Sequence, residues 1–243
     1  MMGNGGRRGR GRSAWGSLVG LIGLATAGTL SLAMLGSLAT PAAANSPNLA
    51  QARKALLVLS DMPAGWTSTK NSDTDNSTLG DTQLAKCIGV RASLVSENPP
   101  SVNSREFQGD QGTMLVTDNV TVFPSARNAA TEYAVAQNPK TAACMTQLAS
   151  GPLKTKLFGK TPKGTTFGTP LVSAVAPGAF GTGVGGFSMS VPISTHGVTV
   201  NVTATELFTV KGKLGHQVTF TAIGSPFSIP LQQHIMAVAA GRL

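Results

Sequence analysis

The chain has 243 residues, with 19 Lys and Arg against 10 Asp and Glu, 12 % charged and 5 % aromatic side chains, and two cysteines. Four of the nineteen basic residues are Arg7, Arg8, Arg10 and Arg12, so the remainder carries fifteen basic against ten acidic groups. That mild excess, spread singly without interleaved aromatics, argues against a nucleic-acid footprint. The aromatic poverty requires a core built from aliphatic side chains.

The basic start is followed by an uncharged run from Ser13 to Ala52, in which Trp15 to Ala39 is built mainly from Leu, Ala, Gly, Val, Ile and Ser. Thr40-Pro41 stops the run, and Ala42-Ala43-Ala44 fits the small-x-small rule of signal peptidase. Residues 1–44 are therefore read as a signal peptide or an N-terminal membrane anchor, because the apolar stretch approaches the roughly 20 residues that span a bilayer. Residues 45–243 are expected outside the membrane, and membrane contact is expected only through residues 1–44 if they stay uncleaved. In an oxidising compartment the pairing of Cys87 with Cys144 is the default.

Ser46-Pro47-Asn48 precedes apolar residues at helical spacing (Leu49, Ala52, Ala55, Leu56, Leu59), which predicts a helix over 47–59. It is halted at Asp61-Met62-Pro63-Ala64-Gly65-Trp66, and the Ser-, Thr-, Asn- and Asp-rich residues 67–80 read as an exposed loop. Trp66, the lone tryptophan of the exported part, is either an anchor at a ligand cleft or a core plug. A short helix through Leu84, Cys87 and Ile88 follows. Alternation of Met114, Val116, Val120 and Val122 predicts a strand, joined to Arg105–Phe107 through Gly109–Gly112.

Ser125 is placed to cap a helix carrying Ala129, Tyr133 and Val135, ended by Asn138-Pro139. A further helix carries Ala142, Cys144, Met145 and Leu148. Strands are expected at 165–175, 186–193, 198–210 and 216–223, with His196-Gly197 and Lys211-Gly212 at corners. Ser228 to Leu243 closes the chain as a helix with Pro230 in its first turn. The fold class so read is α+β: an antiparallel β-sheet packed with helices in a single domain.

No motif assigns a catalytic, cofactor-binding or metal-binding residue. Gly181-Thr182-Gly183-Val184-Gly185-Gly186 fits the dinucleotide spacing, yet a β-like run containing Pro192 follows it where that site needs a helix. Asp73, Asp75 and Ser77 alternate as in a calcium loop but lack the turn glycine and the bidentate glutamate. His196, His216 and His234 are too far apart for one metal-binding element and show no evident acid partner, and the acids fall mainly in polar loops. The group Lys154, Lys156, Lys160 and Lys163 reads as a solvated face.

The runs Leu56-Leu57-Val58-Leu59-Ser60-Asp61-Met62-Pro63-Ala64-Gly65-Trp66, then Cys87, then Val120-Thr121-Val122-Phe123-Pro124-Ser125, then Ala142-Ala143-Cys144, are similar to exported actinobacterial domains. These include the extracytoplasmic sensor domain of certain mycobacterial serine/threonine kinases. The resemblance implies a curved antiparallel sheet with helices around a ligand cleft, and it supplies no catalytic residue. The expected function is an exported, non-catalytic ligand-binding or sensor-like module of the cell envelope, whose partner is a small molecule or an envelope component. A secreted hydrolase acting on envelope polymers or esters, and a structural envelope protein, are the alternatives.

Overall fold

A computed structural model describes residues 47–71, 81–91, 99–151, 163–175, 178–181 and 183–243. The leader over residues 1–44, the calcium-like run at Asp73, Asp75 and Ser77, and Lys154, Lys156 and Lys160 lie outside them. The helices are α1 (Pro47–Ala55), α2 (Asp81–Ile88), α3 (Ala126–Ala136), α4 (Pro139–Ser150) and α5 (Ile229–Arg242). The strands are β1 (Thr67–Thr69), β2 (Ser101–Asn103), β3 (Glu106–Gly109), β4 (Met114–Val122), β5 (Thr165–Phe167), β6 (Leu171–Val175), β7 (Gly185–Thr195), β8 (Val198–Lys211) and β9 (Leu214–Ile223).

All nine strands join one antiparallel sheet in the order β1-β3-β4-β9-β8-β7-β5, with β2 also on β4 and β6 also on β7. The protein is an α+β domain. Its spine is the meander β7-β8-β9, whose two tight corners set the register. At the first, His196 (φ 49°) and Gly197 (φ 81°) are both left-handed, as a two-residue hairpin matched to strand twist requires, and Thr195 faces Val198. At the second, Lys211 faces Leu214, so the corner residues are Gly212 and Lys213, with Gly212 at φ 60°.

Because side chains alternate along a strand, the register sorts the central residues onto two faces. One face carries Val116, Asp118, Val120 and Val122 of β4, opposite Phe220, Val218, His216 and Leu214 of β9. Helix α5 covers it through Ile235, Met236 and Ala239, and α1 through Leu49, Ala52 and Ala55. The other face presents Phe187, Met189, Val191 and Ile193 of β7 to α2, α3 and α4, which contribute Leu84, Ile88, Ala129, Val135 and Met145. The sheet is thus helix-covered on both sides, and its core is aliphatic with a few phenylalanines.

Several boundaries differ from the sequence reading for identifiable reasons. Helix α1 ends at Ala55 instead of Leu59, since the Leu57 N–H goes to the Asp118 carboxylate at 3.1 Å, where a helix would send it to its own preceding turn. Residues Thr67–Thr69, read as loop, form the edge strand β1 on β3. The span 165–175 is two strands divided at Gly168-Thr169-Pro170, where Gly168 packs too close to Pro192 for any side chain. Asn138 and Pro139 do end α3, and they also begin α4: Asn138 accepts from the Lys140 N–H at 2.9 Å, and Pro139 takes the first turn, where no donor is needed. The Gly181–Gly186 run leads into strand β7.

Candidate functional site

A small pocket opens where helix α3 crosses the ends of β4, β8 and β9. Helix α3 is held there by its cap: Ser125 is extended (φ −148°, ψ 161°), and its hydroxyl accepts from the Asn128 N–H at 3.1 Å. One turn further on, Glu132, Tyr133 and Ala136 face the sheet and form one wall. The sheet supplies Thr121 and Phe123, Phe208, Thr209 and Val210, and Gly215, His216 and Gln217, of which His216 alternates to the opposite face of its strand. Glycine is required at 215, because a Cβ there would meet the Phe123 ring at 2.7 Å. The pocket volume is about 40 Å³.

The polar groups around this pocket are unusual for the middle of a sheet. Glu206, on β8, is 1 % exposed. It accepts a hydrogen bond at 3.0 Å from the side-chain amide of Gln217, one of the lining residues. Thr121 donates its hydroxyl proton to Asn119 at 2.8 Å, so towards other groups its oxygen acts as an acceptor. The Tyr133 phenol accepts from Gln137 Nε2 at 2.7 Å. Burial raises the Tyr133 pKa from its ordinary 10.0, and that amide bond opposes the shift by stabilising the phenolate.

A second buried acid lies on the opposite face. Asp118 and His216 have fully buried side chains, with Nε2 2.7 Å from Oδ2. The same Oδ2 accepts from the Leu57 N–H at 3.1 Å, while His216 Nδ1 lies 3.3 Å from the Ala239 carbonyl of α5. A carbonyl only accepts, so Nδ1 carries a proton, and both ring nitrogens are engaged. The pair therefore has no ring nitrogen left to take a proton from a nucleophile, and its geometry is that of a clamp. Asp118 sits where β2 gives way to β3 along the edge of β4. Buried Ser104 bridges that gap, its N–H donating to the Asp118 carbonyl (2.8 Å) and its hydroxyl accepting from the Asp118 N–H (3.0 Å).

Cys87 of α2 and Cys144 of α4 are joined, with Cα atoms 5.8 Å apart, tying these helices together in the layer that carries the pocket. Trp66 stands elsewhere. Its indole packs against Gly109, and its ring centroid lies 6.1 Å from Phe227, at the rim of the core under α5 and outside the pocket lining. His196 occupies the β7–β8 corner and His234 the outer side of α5, both exposed. Among the described residues no group of three or more His, Cys, Asp or Glu is arranged to hold a metal ion.

The sequence reading missed both buried acids and the acid partner of His216. The signal was present in the alternation itself. Asp118 falls on the parity of Val116, Val120 and Val122, and Glu206 on the parity of Val200, Val202 and Ala204. A charge at a core-facing position of a strand must find a partner or a cavity.

The fold and pocket define an antiparallel α+β domain with a helix-roofed recess, mainly apolar, with a few polar groups at its wall. No family model matches the chain, and no curated protein matches it. Among solved structures it is similar to the extracellular domain of PknH from Mycobacterium tuberculosis, at 17 % identity and a TM-score of 0.39, covering 79 % of this chain and 94 % of that one. That likeness is weak and partial. No helix among the described residues is long and apolar enough to cross a membrane.

Proposed function

We propose that the protein is an exported ligand-binding or sensor-like module acting at the cell envelope, with the recess beneath α3 as its ligand site. The observation that carries this reading is the Glu206–Gln217 pair. A carboxylate 1 % exposed in mid-sheet is costly to keep, and this one is bonded to an amide that lines an open recess. Apolar walls with a few converging polar groups are the ordinary make-up of a small-molecule site. The arginine-led apolar leader and the cysteine pair support an oxidising location outside the cytoplasm.

Native mass spectrometry of protein collected from outside the cells tests this directly. A retained small molecule, released on denaturation, is the expected result. Protein that emerges empty, together with turnover of a broad esterase and peptidase panel, would replace this reading with the hydrolase alternative.

A further inference from the structure

Resting on that binding-module reading, we infer that the recess beneath α3 takes the ammonium end of an alkylamine. The lining offers acceptors and rings: the Glu132 carboxylate, the Gln217 amide, the Thr121 hydroxyl with its proton committed to Asn119, and the rings of Phe123, Tyr133 and Phe208. Behind Gln217 stands the Glu206 carboxylate. No lysine or arginine is among the described residues lining the recess. Carboxyl oxygens at the wall and behind it accept from donors and disfavour an anion, an entering cation favours their ionised form, and the aromatic rings add to the preference for a cation.

An ammonium group carries three N–H donors and no acceptor, which complements a lining of this kind. Gln217 links the inner acid to the recess, since its Nε2 donates to Glu206 at 3.0 Å and the other end of the amide is a carbonyl. Size sets the remaining limit. About 40 Å³ is far below the roughly 150 Å³ of a cavity that takes a benzene ring. The recess therefore fits a head group of a few heavy atoms, with the alkyl chain leading out past Val210 and Ala136.

Titration of the isotopically labelled protein, followed by the side-chain amide signals of Gln217 and Gln137, tests the inference. The probes are n-butylammonium, 1-butanol and butyrate, with a blocked lysine amide to separate a free amine from a lysine side chain as the source. Saturable shifts at Gln217 with n-butylammonium are expected, with butanol and butyrate at least about tenfold weaker. Glu206→Gln should weaken n-butylammonium by about tenfold. Glu132→Gln, which keeps the shape of a partly buried side chain whose Oε1 is enclosed, should weaken it by about threefold, with the urea midpoint of each variant checking that it still folds. Tighter binding of the blocked lysine amide than of n-butylammonium would assign the ligand to peptides, and the reverse to free amines.

Butanol or butyrate binding at Gln217 as tightly as n-butylammonium would overturn the ammonium assignment and leave the ligand-binding reading standing. Affinity for n-butylammonium unchanged in both variants would overturn it too. Absence of any shift with every probe also overturns it, and the native mass spectrum then decides the broader reading separately.

Discussion

The two faces of the sheet each bury an acid in mid-strand, and they use it differently. On the α5 face, Asp118 meets a histidine that is itself bonded to a helix carbonyl, and it also takes the Leu57 N–H. Two segments distant in sequence, at Leu57 and His216, converge on one carboxylate oxygen. On the α3 face, Glu206 meets the neutral amide of Gln217 beside an open recess. Residue type and depth are alike in the two sites. The partners differ: a ring bonded on its far side to a helix carbonyl fixes Asp118 within the fold, whereas Glu206 is bonded to an amide that lines the pocket.

Matched isosteric substitutions break or sustain that contrast. Asp118→Asn removes the carboxyl group bonded to a fully buried His216 and should cost about 3–5 kcal/mol in urea unfolding, as breaking a buried pair generally does. Glu206→Gln retains the shape and a hydrogen-bonding group and should cost only about 1 kcal/mol. Equal losses would make Glu206 a structural acid like Asp118.

The layers are also fastened differently, which gives the second expectation. The pocket side has the Cys87–Cys144 bond between α2 and α4, separated by 57 residues in sequence. The opposite side has Arg242 of α5 bonded to the Leu56 carbonyl and, at 2.6 Å, to Asp61. Replacing both cysteines by serine should destabilise by about 2–4 kcal/mol. Amide hydrogen exchange should quicken in α2 and α4 well before α5, because local opening follows local fastening. Uniform acceleration in all three helices would show that the two layers are one cooperative unit.

A third expectation concerns Trp66 and the face that carries the clamp. Gly109 has an ordinary extended backbone (φ −124°), so its need for glycine is purely one of space under the indole. Gly109→Ala should cost about 1–3 kcal/mol by overpacking. It should shift the Trp66 fluorescence and leave the Gln217 amide signal unmoved. A response at Gln217 would place Trp66 in communication with the recess.

How far the fold could be read from the chain depends on which interactions were local. The alternation in β4 and β8, the Ser125 and Ser228 caps and the His196-Gly197 corner are signals within a few residues of one another, and the corresponding elements could be read from them. Strands β1 and β2 had no such signal. Each is three residues long and exists because β3 or β4 offers an unpaired edge. The early end of α1 likewise depends on Asp118, 61 residues away from Leu57. The candidate site was less legible. Its walls come from β4, α3, β8 and β9, and only the two acids on apolar parities marked where polar chemistry is buried; Trp66, the residue that drew attention by composition, lies against Gly109 and Phe227.

The smallest expected effect sharpens the contrast on the pocket side alone. Burial raises the Tyr133 pKa above its ordinary 10.0, with the Gln137 amide opposing. In the unfolded chain the phenol loses its proton at the ordinary value, while in the folded chain it holds it longer. The two states bind protons equally below that value, so stability there does not depend on Tyr133. As pH rises from about 10 through the folded value, the unfolded state gains from ionising first, and stability falls. Urea midpoints taken across that window should decline less in Tyr133→Phe than in the parent. His216 and Asp118 belong to the other face, so the Asp118→Asn protein should show the same alkaline decline as the parent, starting from a lower stability. If Tyr133→Phe and the parent fall in parallel, the phenol is hydrated and the recess is wetter than its ring-lined walls imply.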